Sequence, residues 1–219
     1  PVGLYPTQGD TMDSSSLGLF LKGRWFVTDD ASLTLMLNNY ELERNGDFRA
    51  VPGDRESGRL ATTVPGDPSA EVGDPARNET TTATLTWRQE NLLQGTLTAQ
   101  LFDQSFEGRF EGGFFNGFFR LTPDGEPFLD QSAVVSDKNG LKLTWQRPLG
   151  TDGSNVALGL DWFRDDSSQV LTRSGREWVP ETRFETLTPF VQGTWALGSL
   201  SLVGGLRYDQ EWIEALSRL

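Results

Sequence analysis

Between Leu187 and Asp209 apolar and polar positions alternate with a period of two. Leu200, Leu202, Gly204, Leu206 and Tyr208 fall on one face of an extended chain, and Ser201, Val203, Gly205, Arg207 and Asp209 on the other. Such alternation predicts a β-strand with one apolar and one wet face. The run before it, Leu187 to Leu197, joins it through Gly198-Ser199, a turn too tight for anything but an antiparallel hairpin. Trp195 stands just before that turn and Tyr208 marks the far end of the return strand. An apolar face about ten residues tall with an aromatic at each end has the dimensions of a lipid-facing strand pair.

The same unit recurs along the chain. Strands are predicted over 16–27, where Leu17, Leu19, Leu21, Gly23, Trp25 and Val27 oppose Gly18, Phe20, Lys22 and Arg24, and over 32–43, where Leu33, Leu35 and Leu37 oppose Thr34, Met36 and Asn38. Further strands are predicted over 80–89 (Ala83, Leu85, Trp87), 95–106 (Leu97, Ala99, Leu101), 133–148 (Leu141, Leu143, Trp145) and 155–170 (Val156, Leu158, Leu160, Trp162). Short turns at 28–31, 90–94 and 149–153 alternate with long excursions at 44–79, 107–132 and 171–185. Structureless loops of that length are uncommon in compact domains and usually carry function. Only Glu211 to Leu219 offers a short helix, and residues 1–15 read as loop. The expectation is all-β: four hairpins, about eight strands, with short turns at one end and long loops at the other.

Trp25, Trp87, Trp145 and Trp195 all precede a short turn and all lie on the apolar face. An interfacial indole belt places them so; Trp packing at the base of a soluble β-sandwich is the competing reading, and the loop asymmetry weighs against it. Lys22, Arg24, Lys142, Asp161 and Arg207 all fall on polar faces. Slipping the register by one would move Lys22 into lipid at a cost of roughly 2–4 kcal/mol near the midplane. The polar set is mostly small or medium, including Thr34, Asn38, Thr84, Thr86, Thr96, Thr98, Thr144, Ala157, Gly159, Thr194, Ser201 and Gly205. It would not fill an eight-stranded barrel. The strands are therefore expected to form an open, curved sheet, part of the wall of a larger transmembrane barrel, with 16–27 and 199–210 at its edges.

Composition narrows the chemistry. Of 219 residues only 36% are hydrophobic, and no run approaches the ~18 apolar residues of a spanning helix, which does not exclude barrel strands. The absence of Cys removes disulfides and thiolate metal sites. The absence of His removes the commonest general base and any Ser-His-Asp triad, so no enzyme is expected. A net charge of -12 argues against nucleic acid. The acidic pairs Asp29-Asp30 and Asp165-Asp166 lack Ca²⁺-loop spacing and read as solvated turn and rim charges, so neither metal nor cofactor is expected. The first residue is Pro, and the chain is expected to be a portion of something longer.

The hairpin from Leu187-Thr-Pro-Phe-Val-Gln through Trp195 to Gly204-Gly-Leu-Arg-Tyr-Asp209 resembles TonB-dependent outer-membrane receptors. The succession Asn139-Gly-Leu-Lys-Leu143, Gly159-Leu-Asp-Trp162 and Leu187-Thr-Pro-Phe190 is similar to ferric siderophore receptors of the aerobactin, citrate-hydroxamate type. The resemblance implies a bacterial outer-membrane receptor that imports a ferric siderophore and is energised through the TonB complex. It also implies a barrel of about 22 strands around an N-terminal plug. Residues 1–219 would then be a partial barrel domain, lacking the plug, its TonB contact and the remaining strands. Import needs a selective mouth rather than a covalent step, and Arg109, Phe114, Phe115, Phe118, Phe119 and Arg120 are the candidate ligand-binding residues. Guanidinium groups pair with carboxylates and aromatic faces cover apolar arms; alternatively, the phenylalanines only pack loops together. The competing functions are a small structural or adhesive barrel without transport, and an outer-membrane enzyme, disfavoured by the missing His.

Overall fold

The computed structural model describes residues 14–44, 48–51, 53–60, 62–65, 75–110, 119–121, 127–150 and 153–216. The strands are β1 (Ser14–Thr28), β2 (Ala31–Arg44), β3 (Phe48–Val51), β4 (Thr62–Pro65), β5 (Ala76–Leu92), β6 (Gly95–Arg109), β7 (Phe119–Leu121), β8 (Pro127–Leu129), β9 (Ser132–Pro148), β10 (Asn155–Leu171), β11 (Glu177–Leu197), β12 (Leu200–Arg207) and β13 (Gln210–Ala215). One antiparallel sheet runs β1-β2-β5-β6-β9-β10-β11-β12, with β13 also on β11. Among the described residues no ladder joins β1 to β12 or β13, so the sheet stays open as expected. Two small hairpins, β3-β4 and β7-β8, stand in the long loops.

β12 and β13 are physically one strand. Phe190 pairs with Arg207 and Leu187 with Gln210 at the same offset, so the register never shifts. Between them the Tyr208 N–H reaches the Pro189 carbonyl at 3.1 Å. Proline has no N–H to return that bond, and the ladder is interrupted there alone. The wall thus has eight strands. The helix expected within 211–219 is replaced by β13, because Glu211–Ala215 pairs with Thr182–Thr186 of β11; residues 217–219 lie outside the described part.

Cross-strand register turns the sequence alternation into two surfaces. Leu35, Leu85, Leu101, Leu141, Trp162 and Leu187 form one continuous apolar row across six strands. One residue along each strand, the opposite face reads Thr34, Thr86, Gln100, Lys142, Asp161 and Thr188. On this polar face Arg88, Thr96, Thr98, Thr144, Gln146 and Asn155 line a hollow of about 480 Å³ beside the short turns. On the outer face the large apolar side chains remain exposed, Leu101 at 54% and Trp195 at 46%. None of the described residues covers them, as befits a surface whose solvent is lipid.

The inner face is less uniformly small than its sequence pattern implies. Phe102 lies over its register partner Gly140, where an added Cβ would come within 2.6 Å of the ring. Phe190 lies over Gly159 in the same way, and Phe163 meets Phe184 at 5.6 Å between centroids. Rings resting on cross-strand glycines fill the space a side chain would take and cover the bare backbone.

The short turns are knitted together. Glu90 N–H donates to the Asp30 carbonyl (2.7 Å) and the Asn91 amide to the Asp30 carboxylate (2.7 Å). The Trp145 indole N–H caps the Leu92 carbonyl at 2.9 Å. An indole with its ring toward the apolar face and its N–H on a turn carbonyl has the amphipathic placement of an interface anchor. Gly150 and Gly153 take positive φ (91° and 94°), as the turn composition predicts.

Candidate functional site

The strands outrun the apolar band at the long-loop end. On the outer face Leu37 gives way to Asn39, Glu41 and Glu43, Trp162 to Arg164 and Asp166, and Leu187 to Glu185 and Arg183. These charges pair laterally. Arg77 bridges Glu41 and Glu79, each at 2.9 Å, and Asp166 lies between Arg164 and Arg183, the latter at 2.8 Å. Exposed pairs add only about 0–1 kcal/mol each. Their consequence is positional: the wall stands in water from this level upward.

This protrusion corrects the expected loops. β5 begins at Ala76 and β6 ends at Arg109, so the first two excursions are shorter than the sequence implies. The third nearly vanishes: β10 reaches Leu171, β11 starts at Glu177, and only 172–176 forms a turn. Residues 177–185 are strand without the apolar alternation that reveals strands in lipid, because neither of their faces meets lipid.

At the rim, β6, β9 and the β10-β11 turn are locked around Asp130. This residue is fully buried. Its carboxylate accepts the N–H of Gln131 (2.9 Å), the N–H of Arg173 (3.0 Å) and the Ser174 hydroxyl. Burial pushes the carboxyl up, but the Ser174 hydroxyl and the Arg173 and Gln131 N–H groups outweigh it and hold the acid below its ordinary value. Gln131 extends the junction both ways: its carbonyl accepts Thr172 N–H at 2.7 Å, and its side chain donates to the Phe110 carbonyl at 3.2 Å. Phe110 N–H returns to the Ser132 carbonyl at 2.9 Å.

Of the residues singled out from sequence, Arg109 is the last of β6 and donates from Nε to the Pro75 carbonyl at 3.2 Å. It pairs in register with Arg77 and shares the outer-face parity at the root of the Phe-rich loop. Phe119 and Arg120 belong to β7, paired with Leu129 and Phe128 of β8. Phe114, Phe115 and Phe118 lie outside the described residues. The Asp130 junction has no sequence signature, since its partners lie 43 and 44 residues downstream.

The inner wall carries charge of both signs. Between the short turns and the rim, β1, β5 and β9 present Lys22, Arg24, Arg88, Lys138 and Lys142 to the lumen side, β10 presents Asp161 and Asp165, and the β12-β13 strand presents Arg207, Asp209 and Glu211, with Arg207 paired to Asp209 at 2.7 Å. Lys138 and Asp165 meet at 3.3 Å where the two sets adjoin. Among the described residues no group of three or more His, Cys, Asp or Glu could hold a metal ion.

No helix of the described residues is long and apolar enough to cross a membrane, which says nothing of crossing by strands. No curated protein and no solved structure matches the chain. The family model for the TonB dependent receptor-like β-barrel matches residues 23–215, from the middle of β1 to the end of β13. The chain therefore belongs to the TonB-dependent receptor β-barrel family, whose members are outer-membrane receptors and transporters of Gram-negative bacteria.

Proposed function

We propose that this chain is part of the barrel wall of an outer-membrane receptor that imports a ferric siderophore of the citrate-hydroxamate type, energised through TonB. The observation that carries the reading is an oriented eight-stranded wall that, among the described residues, does not close on itself and has an apolar, exposed outer face and a polar inner one. Such a lining suits a wide lumen rather than a filled small barrel. Import of this kind requires selective capture, not bond chemistry at the wall, and the ferric complex is cargo rather than cofactor. Arg109 and Arg120, with Phe114, Phe115, Phe118 and Phe119, are proposed as capture groups: guanidinium for carboxylate arms, rings for apolar ones. A small structural barrel without transport is the alternative, and the open sheet speaks against it.

The test is equilibrium binding of a ferric citrate-hydroxamate to the receptor in outer-membrane vesicles. Arg109→Ala with Arg120→Ala is expected to weaken binding while leaving membrane insertion intact. Unchanged affinity would move the capture site to other loops, and a receptor that binds no ferric chelate would end the siderophore reading.

A further inference from the structure

We infer that the β5-β6 turn, 91–94, is a membrane-interface anchor whose tip residue, Leu93, seats in the glycerol and upper acyl region of the lipid leaflet on the short-turn side. This rests on the wall's place in a membrane, whatever the receptor carries. The backbone of the turn breaks a local rule. Asn91, Leu93 and Gln94 take positive φ (57°, 51° and 64°), whereas every other positive φ among the described residues belongs to glycine. Of the three, only asparagine visits that region at all readily, and a leucine there is uncommon. Glycine would relax the turn at no steric cost, as Gly198 does between β11 and β12 with φ 64°. Strain of this kind persists where the surroundings impose it, and it clusters where the side chain on display has a use.

The surroundings do impose it. The Asp30 carboxylate accepts the Asn91 amide at 2.7 Å, the Asp30 carbonyl accepts the Glu90 N–H at 2.7 Å, and the Arg147 guanidinium donates to the Gln94 side-chain oxygen. Trp145 closes the other side. Its indole N–H donates to the Leu92 carbonyl at 2.9 Å, and a Cβ added at Gly95 would come within 2.8 Å of its Nε1. What this braced turn displays is apolar: Leu93 is 75% exposed and Leu92 is exposed beside it. A lone exposed leucine needs no explanation, but one held in a strained backbone does.

Three observations name lipid as the occupant. Leu92 pairs with Gly95, which shares the outer face with Leu97, so the turn continues the apolar surface and not the lumen. The neighbouring turns extend that surface too: Leu149 follows Trp145 and Arg147 on the outer-face parity, and Leu197 pairs with Leu200 across the β11-β12 turn, all three exposed. The apolar surface therefore runs past the Trp belt. Trp145 itself supplies the third observation. An interfacial indole ordinarily offers its N–H to headgroups or water, yet this one is spent on Leu92, while among the described residues no protein group takes the N–H of Trp25, Trp87 or Trp195. With its polar end capped, Trp145 can lie wholly in hydrocarbon, and the boundary with water passes to the turn beyond it, where Leu93 stands.

The test places a nitroxide on an introduced cysteine in the receptor reconstituted into phosphatidylcholine vesicles; these 219 residues contain no Cys of their own. At Leu93→Cys the label is expected to collide more with dissolved oxygen than with a water-soluble nickel chelate. At Asp29→Cys, in the acidic turn between β1 and β2, the reverse is expected. Water-like collision at both positions would overturn the inference. So would shielding from both probes at position 93, the sign of a protein contact in place of lipid. Stability gives a second readout, whose sign separates an anchor from turn geometry. Asparagine suits the left-handed backbone better than leucine, so on geometry alone Leu93→Asn is neutral or stabilising. Loss of the lipid contact is instead expected to lower the folding equilibrium in vesicles about tenfold. Leu93→Met, which stays apolar, should remain within about threefold of wild type. A gain or no change in Leu93→Asn, or a loss in Leu93→Met as large as in Leu93→Asn, would refute the anchor.

Discussion

Introducing a lysine at Leu143 and, separately, at Thr144 tests the two-faced wall at a single point. The residues are adjacent on β9, yet Leu143 pairs with Ala99 and Leu160 on the outer face, and Thr144 with Thr98 and Gly159 on the inner. Leu143 lies five residues from Pro148, the short-turn end of β9. At about 3.4 Å per residue and a tilt near 45°, that is about 12 Å above the turn rim, close to the middle of an apolar band about 25 Å tall. A lysine at that depth costs about 2–4 kcal/mol, or about 30- to 1000-fold in the folding equilibrium. Thr144→Lys places its ammonium in the open hollow, where water and Asp161 on the neighbouring strand offset Lys142, and should stay within about 0.5 kcal/mol. The assay is guanidinium unfolding of the protein folded in lipid vesicles, followed by tryptophan fluorescence. Equal costs at the two sites, or a larger one at Thr144, would refute the assignment of faces.

The glycines under the inner rings should respond in an order opposite to their closest contacts. A Cβ at Gly159 would come 2.1 Å from the tip of Phe190, a ring that can swing away, whereas at Gly140 it would meet the Trp162 backbone carbonyl at 2.6 Å as well as Phe102. Gly140→Ala is therefore expected to cost about 1–3 kcal/mol and Gly159→Ala distinctly less; the same unfolding assay ranks them, and a greater loss at Gly159 would contradict the argument. The Asp130 junction should be acid-labile. Because its folded-state pKa is lowered, its contribution is complete above the ordinary carboxylate range, near pH 4, and is lost as pH falls through the lower folded value. Hydrogen exchange at the Arg173 amide should thus remain protected down to about pH 4 and open below it, with Asp130→Asn removing the acid limb; opening that begins near neutral pH would be inconsistent with a depressed pKa.

Within the lipid-spanning zone the sequence by itself determined strand number, hairpin order, the face of each residue and the end that carries the short turns. The physical reason is that lipid on one side and water on the other impose a period of two, and position along the strand maps onto depth. Trp25, Trp87, Trp145 and Trp195 could thus be assigned to one rim without a neighbour in view. Above the apolar band both faces of a strand are wet and the period disappears, so Glu177–Arg183 reads as loop and only its pairing with β10 and β13 reveals a strand. Likewise Glu211–Ala215 has too little pattern to tell strand from helix until β11 supplies its hydrogen bonds. The resting of Phe102 on Gly140 and of Phe190 on Gly159 depends on register between strands, which alternation along one strand cannot specify. The Asp130 junction is the furthest from sequence. A buried carboxylate, an exposed hydroxyl and a backbone N–H more than 40 residues away become one cluster only because β9 and β10 bring their ends together, and the turn bearing Arg173 and Arg176 is fixed by that tertiary contact.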